Sequence, residues 1–164
     1  METLELIQTK LAYNDWANRR ALQSLGAMQS PSARAVRALS HILLVEKLWL
    51  ARLRRETIAP QSDFFPELSL TECRALIHES LGSYTDYLRT LAEGQLDVVG
   101  SFATLAGGKY MASTRDVLTH VMMHSMYHRG QVALAIREDG GEPLQSDYIL
   151  FVRENGKTRS ASES

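Results

Sequence analysis

The sequence has a single cysteine, four prolines and no long uninterrupted apolar run. Cys73 alone cannot form an intrachain disulfide, which is typical of a protein from a reducing compartment. No segment approaches the roughly 18 apolar residues that a membrane-spanning helix requires. The first residues, METLELIQTK, lack the basic start and apolar stretch of a secretory signal. We therefore expect a cytoplasmic protein with no membrane partner.

An excess of basic charge is also missing. Lys and Arg number 18 against 19 Asp and Glu, which gives a formal net charge of -1 at pH 7, and the two signs are interspersed. Proteins that bind nucleic acids neutralise phosphates with clustered basic residues, so we expect no nucleic-acid partner. The lack of a basic cluster also argues against electrostatic docking to anionic lipid.

The apolar content, 45% of 164 residues, is enough for one buried core. Apolar residues recur at helical spacing in four segments, which begin near residues 3, 31, 69 and 113 and end near residues 25, 55, 94 and 138. Residues 98–112 alternate around Gly107-Gly108, which indicates a short hairpin or an irregular crossover. We predict an all-α four-helix bundle over residues 1–154 and a disordered C-terminal tail over residues 155–164.

The second helix carries apolar residues around most of its circumference. Its only polar stripe is narrow and consists of Ser40, Lys47 and Arg54, spaced by seven residues. One side of a small bundle covers less apolar surface than this helix offers. We therefore expect a homodimer that buries the remainder.

Three histidines recur in the segment HVMMHSMYHRGQ, which lies on the fourth helix. His120, His124 and His128 are four residues apart and advance only about 40° per step, so they share one face. Val117 and Gln131 lie on the same face, which should point into the bundle. Buried imidazoles need partners for both ring nitrogens, and a metal ion would provide one. Gln131 is a candidate to line the same cavity.

A histidine pair separated by one helical turn can present two nitrogens to one ion, and a third ligand must come from another helix. His41 is the best candidate, because it lies in the apolar run LSHILLVEKLW, about 100° from the polar stripe. Three neutral histidines leave a coordination position open, as in catalytic sites. Spacing does not choose between the pairs His120 with His124 and His124 with His128. A metal-free core pair is the alternative.

Two asparagines, Asn14 and Asn18, occupy the inward stripe of the first helix. They can bond a metal-ligating histidine, a substrate or a neighbouring helix, and the sequence leaves these alternatives open. Glu46 and Tyr127 are interpreted as a solvated glutamate and a core tyrosine, with proton transfer near the site as the alternative. Arg129 is interpreted as a surface or interface salt-bridge partner.

The other reactive or bulky side chains have structural interpretations. Cys73 is expected to be a small buried residue and His78 to face solvent. Trp16 and Trp49 are expected to be core or dimer-interface aromatics. Gly130, inside a helix, indicates close helix packing, with close approach of a ligand as the alternative, because glycine there costs roughly 1 kcal/mol relative to alanine.

The chain resembles the DinB family of damage-inducible, metal-dependent bundle proteins. The matching segments are YNDWAN at 13–18, SHILLVEKLW at 40–49, HVMMHSMYHRGQ at 120–131 and DYILFVRE at 147–154. The HxxxHRGQ element, with a lone histidine on the second helix, is the most specific of them. In such proteins these histidines are the metal ligands, so the resemblance implies His41, His124 and His128. His120 then lies outside the coordination sphere, beside the ligands.

The resemblance also implies an up-down-down-up bundle, frequent dimerisation and one zinc or nickel ion per chain. Relatives use the metal to lower the pKa of a low-molecular-weight thiol and transfer it to an electrophile. We therefore expect a metal-dependent thiol S-transferase in stress or detoxification, with a small thiol and an electrophile as substrates. The alternatives are a non-enzymatic, stress-induced metal-binding scaffold and a metal-dependent hydrolase.

Overall fold

The computed structural model describes residues 3–57, 63–103 and 108–155. The elements in these ranges are α1 (Leu4–Gly26), α2 (Ala33–Leu53), α3 (Leu70–Arg89), a 3₁₀ turn (Glu93–Asp97), β1 (Val99–Ala103), β2 (Lys109–Ser113), α4 (Thr114–Glu138) and α5 (Tyr148–Glu154). The chain is mostly helical, as predicted, but it is not all-α. The short α5 was not expected. The predicted disordered tail lies outside the described residues, apart from Asn155.

The starts of the two later long helices follow from local capping chemistry. Ser69 and Glu72 cap α3 reciprocally, and Ser113 and Asp116 do the same for α4. Both patterns were visible in the sequence, because a hydroxyl at the cap and a carboxylate three residues later satisfy free backbone N–H groups. The cap of α2 is Ser32 and not Ser30, so that helix begins two residues later than expected.

Between α3 and α4 the chain forms a hairpin and not an irregular crossover. Strands β1 and β2 are antiparallel, with Val99 opposite Ser113 and Phe102 opposite Tyr110. The ring centroids of Phe102 and Tyr110 lie 5.8 and 6.0 Å from that of Trp49. The hairpin therefore covers part of α2. The predicted glycine turn includes Gly107, which lies outside the described residues.

Helix α4 packs against α1 and α2, and α3 packs against the same two helices. The interior contains two apolar clusters, one around Ile7, Trp49 and Val117 and the other around Leu25 and Ile136. Along α4, the buried residues between these clusters are the polar Ser125 and Arg129, and along α1 they are Asn14 and Asn18 together with Ala17. None of the helices in the described ranges is long and apolar enough to cross a membrane.

Most of the apolar surface of α2 is covered within the chain. Ser40, a member of the narrow polar stripe, is completely buried. Its hydroxyl donates to the Val36 carbonyl at 2.9 Å and accepts from the Leu68 N–H at 3.3 Å. The segment before α3 therefore packs over this side of α2. The excess apolar surface therefore no longer argues for a second subunit, and dimerisation stays a prediction.

Candidate metal centre

Helices α2 and α4 bring three histidines into one cluster. His41 lies on α2 and His124 and His128 on α4, and one ring nitrogen of each lies within 4.8 Å of the others. The Nε2 atoms of His41 and His124 are 3.2 Å apart. Two nitrogens bound at about 2.0–2.1 Å to one tetrahedral ion lie about 3.3–3.4 Å from each other. The cluster therefore has the dimensions of a single-ion site.

Hydrogen bonds on the far side of two rings orient their lone pairs toward the cluster. The Nδ1 atom of His41 is 2.7 Å from the Phe64 carbonyl oxygen. A carbonyl only accepts, so Nδ1 carries the proton and Nε2 has a free lone pair. The Nδ1 atom of His128 is likewise 2.7 Å from Oε1 of Gln131. Metal-binding histidines are usually held in this way, so both rings fit a bound cation.

His124 is the central member of the cluster. Its ring centroid is 5.0 Å from that of His41 and 4.4 Å from that of His128. Its Nδ1 is buried and has no hydrogen-bond partner among the described residues. The Nε2 atom of His124 faces the lone pair of His41 Nε2. A cation between these two nitrogens would be attracted to both of them.

Burial favours the neutral form of His124 and His41. It lowers the pKa of His124 to about 4, and the neighbouring imidazoles of His128, His41 and His120 contribute to the shift. Burial also lowers the pKa of His41, although the hydrogen bond to Phe64 partly opposes this. A neutral imidazole is the form that binds a metal ion, so these two rings need not lose a proton near neutral pH.

Aromatic side chains surround the cluster. The Phe65 ring stacks on His41, with centroids 3.8 Å apart and planes inclined by 6°. His120 is exposed, and its centroid lies 5.5 Å from that of His124 and 5.2 Å from that of Trp49. It therefore lies at the rim, outside the group of three. The sequence did not indicate Phe64 or Phe65, because they lie in a loop without periodicity.

A buried carboxylate on α2 is the centre of a separate hydrogen-bond network. Glu46 is only 2% exposed. Its Oε1 accepts hydrogen bonds from Asn14 Nδ2 at 2.6 Å, Asn18 Nδ2 at 2.8 Å and Ser125 Oγ at 2.8 Å. Its Oε2 accepts from Ser80 Oγ at 2.9 Å. The interpretation of Glu46 as a solvated glutamate is therefore wrong. Its partners come from three other helices, which no local pattern displays.

Arg129 completes this network and is 4% exposed. Its Nη1 donates to Asn14 Oδ1 at 2.7 Å and to Asn18 Oδ1 at 2.8 Å. Burial lowers the pKa of Arg129, whereas Tyr13 and Glu46 raise it. The interpretation of Arg129 as a surface residue is wrong. Asn14 and Asn18 connect the Glu46 carboxylate to the Arg129 guanidinium. Of the roles that the sequence left open for them, the structure shows hydrogen bonding to neighbouring helices.

Comparison with known proteins agrees with this architecture. The DinB family model matches residues 8–160. The chain belongs to the DinB family. A solved structure, a DinB-like protein from Bacillus cereus ATCC 10987, shares 16% sequence identity, covers 88% of this chain and 97% of its own, and superposes with a TM-score of 0.64. That similarity concerns the fold alone. No curated protein matches the chain significantly.

Other candidate residues of this DinB protein lie apart from the cluster or at its edge. Cys73 is buried 3.8 Å from Ser40 Oγ, and burial raises the pKa of its thiol, as expected for a structural cysteine. His78 is exposed. Tyr127 is 66% exposed, so its assignment to the core is wrong. Gly130 is not at a close packing contact, because a Cβ added there would have no heavy atom within 4 Å.

Replacing Gln131 by alanine should weaken metal binding about 10–100-fold, the usual cost of losing a hydrogen bond that orients a ligand. The reason is that His128 Nδ1 would lose its acceptor at 2.7 Å. Competition with a chromophoric chelator measures the affinity. Gln131→Glu keeps an acceptor and is the matched control. An unchanged affinity in Gln131→Ala would show that this hydrogen bond does not orient the ligand.

The metal-free protein should lose stability on acidification. The pKa of His124 is about 4 in the folded protein and about 6.5 in an unfolded chain. Between these values the unfolded state binds more protons, so stability falls as the pH decreases from about 6.5 to about 4. The urea midpoint of the metal-free protein at a series of pH values measures this. His124→Ala should show a shallower decrease than His78→Ala, and equal slopes would contradict the assignment.

Proposed function

We propose that this DinB protein is a divalent-metal-dependent thiol S-transferase. The observation that carries the proposal is the convergence of His41, His124 and His128 from two helices, with two of the rings oriented by hydrogen bonds on their far sides. Three protein ligands leave one coordination position for a substrate. His124 and His128 are partly exposed, which gives a small molecule access to that position.

The three histidines would hold one ion per chain, and imidazole ligands suit zinc or nickel. A bound ion supplies one chemical effect, which is to favour the deprotonated form of a thiol at the open position. The sulfur then forms a bond to an electrophilic carbon, the leaving group departs with the bonding electrons, and the thiol proton goes to solvent. Phe65, 43% exposed and stacked on His41, provides an apolar surface beside this position.

The test is a transfer assay with the full chain, metal-free or loaded with zinc or nickel. Glutathione, cysteine and other small thiols are combined with an aryl halide or an epoxide, and thioether formation is followed by mass spectrometry. We expect product only with the loaded protein, loss of activity on chelation and recovery when the ion is restored. Product formation no faster than the uncatalysed reaction for every thiol would refute the transferase.

The hydrolase alternative has less support. Metal-assisted hydrolysis benefits from a general base that takes a proton from water. Glu46, a buried carboxylate on α2, already accepts four hydrogen bonds and is shielded from solvent. Its oxygen atoms are therefore engaged in holding helices together.

Chelation should leave the protein folded, which separates the enzyme from a metal-dependent scaffold. Two apolar clusters and the network of Glu46 and Arg129 join α2 to α4 without an ion. Removing the ion then costs only its binding contribution, about 2.7 kcal/mol at a free metal concentration of 100 times Kd. Circular dichroism melts with and without chelator measure this. Unfolding at room temperature on chelation would favour the scaffold, because structural zinc sites fold only with metal.

We also infer that the four long helices follow the up-down-down-up order. In support, Lys47 pairs with Glu79 at 3.9 Å and Arg54 donates to the Ser83 carbonyl at 2.8 Å, so contacts advance together along α2 and α3. The two apolar clusters indicate the directions of α1 and α4 relative to α2. One contains the early part of α1, the late part of α2 and the early part of α4, and the other contains their opposite ends.

A further inference from the structure

A cavity of about 470 Å³ lies on the side of α4 away from the histidine cluster, between that helix, α1 and residues 146–148. Positions 124 and 126 of an α-helix point about 200° apart, so this cavity is separate from the histidine cluster. Its volume is within the usual range of small-molecule sites, about 300–1,000 Å³. Most of its wall is apolar and is formed by Tyr13, Met122, Met123, Met126, Ala133 and Tyr148.

One nitrogen of a charged group in the wall lacks a hydrogen-bond partner among the described residues. Arg129 lines the cavity although its side chain is almost completely buried. Its Nη1 is engaged by Asn14 and Asn18, but its Nη2 is buried and has no hydrogen-bond partner among the described residues. The Tyr13 ring lies against the guanidinium, 5.6 Å from Cζ, while the Tyr13 hydroxyl donates to the Ser146 carbonyl at 2.8 Å. A buried unpaired donor is costly, so an acceptor in the cavity would stabilise it.

The shape of the cavity depends on Gly130. A Cβ at this position would meet no heavy atom within 4 Å, so the glycine leaves open space against the helix. Met123 and Met126, 61% and 54% exposed, flank this space. Methionine side chains are flexible and polarisable, and they adapt to apolar ligands of different shape. The apolar part of the cavity is thus open and deformable, whereas its charged end is fixed by the buried network.

The charges around the cavity favour an anion. Lys10 and Arg129 line it with positive charge and Asp147 with negative charge, and Glu46, the buried carboxylate linked to Arg129 through Asn14 and Asn18, is not part of the lining. A carboxylate is planar and accepts hydrogen bonds from a guanidinium with good geometry. We propose that this cavity binds a small amphipathic carboxylate, whose head accepts a hydrogen bond from Arg129 Nη2 and whose apolar body packs against the methionines and tyrosines. This site does not depend on the metal chemistry proposed above.

Calorimetric titration of the full, metal-loaded protein tests the ligand class. Octanoate, octanol and octylamine share an apolar body and differ in the head group. We expect octanoate to bind at least about tenfold more tightly than the other two, because only its head pairs with a buried cation. Equal affinities for octanoate and octanol, or no binding of octanoate, would overturn the proposal.

Variants locate the binding. Gly130→Leu places a side chain in the open space of the cavity and should abolish octanoate binding while the fold is kept, because the Cβ at this position meets no heavy atom within 4 Å. Gly130→Ala is the matched control and should retain binding. His124→Ala should also retain it. Binding that survives in Gly130→Leu, or that is lost in His124→Ala because the carboxylate binds the ion, would contradict the proposal.

Sedimentation velocity tests the alternative that a second copy of the chain, and not a small ligand, covers this cavity. If octanoate does not bind and Gly130→Leu converts a dimer into a monomer, the cavity belongs to an interface between two copies of the chain, and the ligand proposal is wrong. If octanoate binds and the sedimentation coefficients of wild type and Gly130→Leu agree, a subunit interface at this position is excluded.

Discussion

His124→Ala should leave the protein folded but unable to hold its metal ion. The variant removes the central ring of the cluster, whose Nε2 is 3.2 Å from that of His41. Losing a group that only orients a ligand costs about 10–100-fold in affinity, so losing the ligand itself should exceed about 100-fold. Metal content after dialysis and competition with a chromophoric chelator measure the change. Thiol transfer should disappear with the ion.

Two further histidine variants serve as controls. His78→Ala changes an exposed residue of α3 and should bind metal as wild type does. His120→Ala tests the alternative that spacing left open, because His120 lies at the rim and outside the group of three. We expect it to retain most of the affinity. If His120→Ala loses the ion and His128→Ala keeps it, the ligands are His120 and His124 instead.

The sequence predicted the parts of the structure that depend on local order. Helix periodicity and the caps at Ser69 and Ser113 are properties of a few consecutive residues, and the helices they predict are present. The stripe of His120, His124 and His128 follows from the pitch of one helix. Which of these rings meets His41 depends on how α2 and α4 cross, so spacing alone left that choice open.

The errors arose where partners come from distant segments. Glu46 and Arg129 were placed in solvent because charged side chains are seldom fully buried without a partner. Their partners lie on other helices, and no spacing in the sequence connects them. Part of the apolar surface of α2 is covered by a hairpin and a loop segment, neither of which shows helical periodicity. A dimer interface on this helix stays a prediction.

Phe64 and Phe65 contact His41 but could not be predicted as site residues from the sequence. Phe64 contributes its backbone carbonyl, which accepts a hydrogen bond from His41 and would be present with any residue type at that position. Phe65 contributes a ring stacked on the same histidine. Two adjacent aromatics next to Pro66 were the only signal, and such a pair has many structural explanations.

Glu46→Ala should destabilise the protein strongly. The variant removes the acceptor of four side-chain hydrogen bonds and leaves the buried guanidinium of Arg129 without an opposite charge. Breaking a buried charge pair by deleting one member typically costs about 3–5 kcal/mol. That is a large part of the roughly 5–15 kcal/mol that stabilises a domain. The free energy of unfolding in urea measures the loss.

The matched control is a glutamate with an exposed ion pair. Glu79 is 61% exposed and pairs with Lys47 at 3.9 Å. Pairs of this kind contribute about 0–1 kcal/mol, so Glu79→Ala should change stability little. Equal losses in Glu46→Ala and Glu79→Ala would show that the buried network contributes no more than a surface contact.

A double variant separates the charge interaction from the hydrogen bonds. Glu46→Gln keeps the shape of the side chain but removes its charge, and Arg129→Met removes the cation that lies across Asn14 and Asn18. If the two charges stabilise each other, each single variant leaves one of them uncompensated, and the double variant leaves neither. The double variant should then lose less stability than the sum of the two single losses, by about 0.5–3 kcal/mol. Additive losses would mean that the asparagines screen the two charges from each other, and that the network stabilises the fold only through its separate hydrogen bonds.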